Sequence, residues 1–257
     1  TVADGMAAVV TALNRVNSIY ETELAIRFEL VADNDQLIYT DAAGDPYTDD
    51  DSSALIAENQ INLDEVIQDA NYDIGHVLAF GSGGGLAVAG AGITGEKARG
   101  ATGSAIPTGD RFWVNAVAHE LGHQLSARHT WNGINGRCIA DQRRADSAFE
   151  PGSGSTILAY TGICESDNLQ IVGDPYFHSA SFDQIVDYVE TAIPSVGTRV
   201  ATGNSIPVVE AGPSFTIPAQ TPFSLTAEGS DADSGDALTY SWEQRDLGPP
   251  RALDAED

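Results

Sequence analysis

The chain has 257 residues, 42% of them hydrophobic, enough to bury a core in one large domain or in a medium domain with a smaller companion. Twelve Lys and Arg against 38 Asp and Glu give a formal net charge of −26, which repels phosphate backbones and anionic lipid surfaces and argues against nucleic acid as a partner. No run approaches the roughly 18 consecutive apolar residues of a membrane span, and no basic stretch followed by an apolar one opens the chain, so Thr1 does not read as the native start of an exported precursor.

In chain order, Met6, Val9, Val10, Leu13, Val16 and Ile19 recur at three- and four-residue spacing, which predicts an amphipathic helix from Val2 to about Tyr20 lying on a sheet. Ala25 to Val31 alternates as a half-buried strand does, and Leu37–Thr40 reads as its neighbour. An acidic loop, 41–51, leads through Ser52 and Ser53 into a second helix that ends at Asn71–Asp73. A strand over Ile74–Phe80 is followed by a glycine-rich loop at 81–85 and a strand over Leu86–Gly90. The glycines match no phosphate-binding pattern and read as a flexible connection. Asp110 is placed to cap a third helix. A fourth helix is marked by apolar positions from Phe182 to Ile193, after an irregular stretch rich in Gly, Ser, Asp and Asn. Residues 1–197 therefore read as one domain and 198–205 as a linker. Residues 206–257 read as the beginning of a β-sandwich module, with strands at Phe215–Ile217 and Leu238–Trp242.

Positions 119–129 read His-Glu-Leu-Gly-His-Gln-Leu-Ser-Ala-Arg-His. Residues four apart on an α-helix differ by about 400° of rotation, so His119 and His123 project in nearly one direction with Glu120 beside them. Continued helix would carry His129 about 240° further round, so the chain must leave the helix near Ser126 to return it as a third ligand. Three neutral imidazoles suit Zn²⁺ and leave a fourth tetrahedral position for water, the arrangement of a catalytic site, with Glu120 as general base. His76 and His178 read as structural histidines. The acidic run Asp231–Asp236 lacks the bidentate Glu and full spacing of an EF-hand loop, so Ca²⁺ has no support from it.

The motif, the following Thr130-Trp131-Asn132-Gly133, the Glu150-Pro151-Gly152-Ser153-Gly154-Ser155-Thr156 approach and the Gly162-Ile163-Cys164 exit resemble the metzincins, and among them the bacterial reprolysin-like (adamalysin-like) metallopeptidases. The resemblance covers roughly residues 1–193. It implies an α/β (α+β) fold: a twisted mixed sheet with packed helices, one of which bears the zinc. It also implies a methionine turn as floor under the metal, and here Leu158 stands at that position, a swap of similar volume. Ser126 stands where the family has a glycine at the helix exit, which puts a Cβ in a left-handed turn. Tyr160 matches a tyrosine that some metzincins place near the metal as an oxyanion stabiliser, although a buried structural tyrosine is the simpler reading. The strand Leu86-Ala87-Val88-Ala89-Gly90 matches the substrate-binding edge of the cleft. Relatives carry a strand before the first helix, so the sequence reads as a piece of a longer chain at both ends.

Cys138 and Cys164 either stay as buried thiols or pair; an extracellular setting favours a disulfide closing the loop between the third ligand and the floor. The sequence-based expectation is a secreted zinc endopeptidase acting on proteins or peptides, followed by a partial PKD- or cadherin-like module. Its rivals are an inactive metzincin-fold adhesion protein and a zinc hydrolase of non-peptide substrates.

Overall fold

The computed structural model describes residues 1–81, 84–93 and 95–254. It divides into two units, Thr1–Gly197 together with the stretch from Gln244 onward, and Thr198–Glu243.

In the first unit, helix α1 (Val2–Leu24) starts in a capping box between Thr1 and Asp4 and ends at Ala25, whose φ of 54° is left-handed. Its buried positions include Val16, Ile19 and Tyr20. Helix α2 (Ser52–Val66) begins where the Asp51 carboxylate accepts hydrogen bonds from the backbone of Ser53 and Ala54. Strands β1 (Val77–Phe80), β2 (Gly84–Ala87) and β3 (Gly100–Ser104) form a sheet in the order β1-β3-β2, with β1 parallel and β2 antiparallel to β3. Side-chain alternation divides the two faces of β3. Ala101 packs with Leu55 and Ile56 of α2, whereas Gly100 and Thr102 face the helix that carries the motif. That helix runs through a short α segment, α3 (Asp110–Phe112), a π segment (Trp113–Ala118) and α4 (His119–Gln124). Helix α5 (Ser179–Asp187) continues into a π segment (Tyr188–Ala192). Mixed sheet and packed helices agree with a metzincin-like fold.

Several expected elements differ. Ala25 to Val31 joins no ladder, because the Asn17 side chain takes the place of a neighbouring strand: its Nδ2 donates to the Phe28 carbonyl and its Oδ1 accepts from the Phe28 amide, both at 2.8 Å. Leu37–Thr40 is likewise no strand, since Asn34–Leu37 closes into a 3₁₀ turn. Among the described residues no strand lies on this side; a cavity of about 630 Å³ lies between α1 and β1, walled by Val9, Leu13, Phe28 and Leu78, and α1 packs chiefly on the motif-bearing helix. Of the glycine-rich connection, Ser82 and Gly83 lie outside the described residues, and Gly84 and Gly85 belong to β2. The second strand ends at Ala87, not Gly90. Gly90 adopts φ 82° and its amide donates to the His123 carbonyl, turning the chain onto the end of α4. Asp110 is the first helical residue rather than the cap, and its carboxylate pairs with Arg15 at 2.8 Å.

The second unit holds one antiparallel pair, β4 (Val208–Glu210) with β5 (Glu228–Ser230). Phe215–Ile217 and Leu238–Trp242 form no strands, and Phe215, Tyr240 and Trp242 are exposed, so no sandwich core closes around them.

Candidate metal centre

Helix α4 is anchored from beneath. The buried Tyr20 hydroxyl donates to the carbonyl of Ala118, the residue before His119, at 2.8 Å. Gln124, fully buried, donates to the Gly75 carbonyl and contacts His76, whose other ring nitrogen meets Thr102. His76 is thereby committed to a polar network under the helix, and burial lowers its pKa to about 4. The helix exit is a Schellman turn: the Ala127 amide donates to the Gly122 carbonyl and the Ser126 amide to the His123 carbonyl. Ser126 occupies the left-handed position with φ 73°. This turn brings His129 back toward the helix.

The three imidazoles are each fixed by one backbone carbonyl. His119 Nδ1 donates to Ile157 at 2.7 Å, His123 Nδ1 to Ala127 at 2.7 Å, and His129 Nδ1 to Gln142 at 2.6 Å. A carbonyl only accepts, so each Nδ1 carries the proton, and a neutral ring then leaves Nε2 as a bare lone pair. Neutrality follows from burial, which lowers the pKa of all three, to about 4 for His123 and about 3 for His129. The His123 Nε2 lies 3.0 Å from that of His119 and 2.9 Å from that of His129. Three acceptors aimed at one another in a buried pocket repel unless a cation lies among them. Their identity and spacing fit zinc, whose tetrahedral Zn–N bonds of about 2.0–2.1 Å set ligand nitrogens roughly 3.3 Å apart.

Glu120 is buried beside this cluster, and burial raises its pKa to about 8. Its carboxylate lies against the Cα of Gly85: a Cβ there would stand 2.1 Å from Oε1. Gly85 shares the face of Thr102, its register partner, so a residue without a side chain is what lets β2 approach the acid. Sequence reading treated Gly85 as part of a loop; only the register exposes its position.

Leu158 is fully buried and touches the helix from below, since a Cβ at Gly122 would meet its Cδ2 at 3.0 Å. The Tyr160 ring centroid lies 4.5 Å from that of His129 and 5.1 Å from that of Trp131, and its hydroxyl donates to Gln142 Oε1 at 3.3 Å. Leu86 and Ala87 lie in β2, and the Val88 amide donates to the Arg99 carbonyl. Alternation from that bond turns the backbone groups of Gly85 and Ala87 away from β3, and among the described residues no strand pairs with that edge. Ala89 and Gly90 lie beyond the strand, in a bend. His178 is not part of the cluster: its ring accepts from the Ala180 amide and caps α5. Cys138 and Cys164 form a disulfide beside Trp131, with their Cα atoms 5.2 Å apart.

A search of curated proteins finds no match. The description Metallo-peptidase family M12B Reprolysin-like matches residues 6–130, just under half of the chain and a span that holds all three histidines and Glu120; together with the converging imidazoles it supports zinc-dependent proteolysis.

Proposed function

We propose that the chain is a secreted zinc endopeptidase in which His119, His123 and His129 hold one zinc ion and Glu120 is the general base. The observation that carries the reading is the set of three Nε2 lone pairs, each forced inward by a carbonyl on Nδ1. Bound zinc would supply a Lewis acid that polarises the scissile carbonyl and acidifies a water. Glu120 accepts the proton of the attacking water and returns it to the leaving amine nitrogen, so no covalent link to the protein forms. A positive charge among the imidazoles opposes the effect of burial and favours the carboxylate form that this role requires. Gly85 and Ala87 turn free backbone donors and acceptors outward from β2, which suits an extended peptide added antiparallel to the edge. Leu158 acts as an apolar floor and Tyr160 as a wall beside His129. The Cys138–Cys164 disulfide fits an oxidising compartment outside the cytoplasm.

The test is hydrolysis of casein by the purified chain, its abolition by a chelator and its restoration by stoichiometric zinc. A chain that binds zinc but cleaves a small ester and no peptide would be a hydrolase of another class. One that binds zinc and hydrolyses nothing would be an adhesion protein on the same fold.

A further inference from the structure

We propose that Glu150 is a positioning residue for the metal centre, its buried carboxylate tying together the two chain segments that orient His129 and His119; the inference rests on the three histidines binding zinc. Glu150 lies in the irregular region between the third histidine and the floor, outside any helix or strand, where it forms an isolated parallel bridge with Trp131, and it is 7% exposed. Oε1 accepts from the amides of Ser155 at 2.9 Å and Thr156 at 3.1 Å. Oε2 accepts from the Thr156 hydroxyl at 2.6 Å and from the Thr130 hydroxyl.

These donors belong to two strips of chain. Thr130 follows His129 directly, and its carbonyl also accepts from the Glu150 amide at 2.8 Å. Thr156 precedes Ile157, whose carbonyl fixes the His119 ring. One carboxylate therefore spans from the residue after one ligand to the residue before the acceptor that orients another. The Thr130 amide donates to the Leu158 carbonyl at 3.2 Å, a second link between the same strips, but one that bears on the floor rather than on the ring acceptor. Two backbone amides, which only donate, face Oε1, and two hydroxyls donate to Oε2, so the carboxylate accepts all four hydrogen bonds. An amide in its place could keep an acceptor on the two backbone amides, but its NH₂ would make both hydroxyls turn their protons elsewhere, and the charge that strengthens all four bonds would be lost. Groups that orient metal ligands commonly change affinity about 10- to 100-fold when altered.

The experiment compares the parent, Glu150→Gln and Thr156→Val by zinc titration against a chromophoric chelator, with thermal unfolding of each protein with and without zinc. For Glu150→Gln we expect zinc affinity to fall about 10- to 100-fold and the zinc-induced rise in Tm to shrink with it. Thr156→Val removes one hydroxyl and leaves the carboxylate, so a smaller, several-fold loss is expected. It also decides the question if Glu150→Gln does not fold. A purely structural Glu150 would lower Tm equally in the two states and leave zinc affinity as in the parent, and that result in a folded variant overturns the inference. A parent that binds no zinc would instead count against the three-histidine reading on which the inference stands.

Discussion

The site is assembled from two regions that hold their residues by different means. His119, Glu120 and His123 stand on α4, where helical periodicity alone gives their relative directions. His129, Glu150 and Leu158 stand on irregular chain held by scattered backbone bonds and by side-chain links: the Glu150 carboxylate, the Cys138–Cys164 disulfide, and Asp167, which accepts from the amides of Ile134, Asn135 and Leu253. A helix builds two ligands and a base from the five residues 119–123, whereas the loops need cross-links between positions far apart in sequence to place one ligand and a floor. Changes to the base on the helix should therefore act on chemistry with the metal retained, and changes in the loops on metal retention and stability.

The largest expected effect sharpens the helical side of that contrast. Glu120→Ala should reduce peptide hydrolysis by about 10²- to 10⁴-fold while one zinc per chain remains, because the side chain works on water and is not a ligand. Elemental analysis beside a turnover assay checks this, and loss of zinc with the activity would break the division of roles. On the loop side, Cys138→Ser combined with Cys164→Ser opens a loop of 26 residues' separation. In the chain-entropy account it should cost about 3.5 kcal/mol, read by urea unfolding, without preventing a folded variant from binding zinc. Unchanged stability would mean that the remaining cross-links suffice. The smallest effect lies at the junction of the two regions. Ser126 holds φ 73°, a conformation that costs roughly 1–2 kcal/mol with a Cβ, so Ser126→Gly should gain up to about 1 kcal/mol after the entropy of the added glycine is set against it. Denaturant midpoints of the two proteins decide it, and a loss of stability would show that the serine side chain contributes more than the turn costs.

What the sequence discloses follows the same division. The motif and the need for a turn before His129 are legible because they depend on helical period and on neighbours within a few residues, whereas the left-handed exit at Ser126 is legible only through the family resemblance, which places a glycine there. The disulfide is legible as a choice between two states that the compartment decides. Alternation over Ala25–Val31 misleads, because the pattern records which side chains are apolar and not whether a strand partner exists; Asn17 supplies the backbone contacts from a helix. The π segment at Trp113–Ala118 leaves no mark in apolar spacing. Gly85 and Glu150 act through distances set by register and by contacts between distant segments, and neither carries a local pattern that separates it from a flexible glycine or a solvated acid.

The most direct test of the account is zinc binding by the parent and by His129→Ala, measured in competition with a chelator of known affinity. The parent should take up one zinc per chain, and His129→Ala should lose affinity by more than about a hundredfold, beyond the range for residues that only orient ligands, since two imidazoles from one helix leave a three-ligand site incomplete. Equal affinity in the two proteins would contradict the account, because the chain's return from Ser126 to His129 would then build something other than the metal centre.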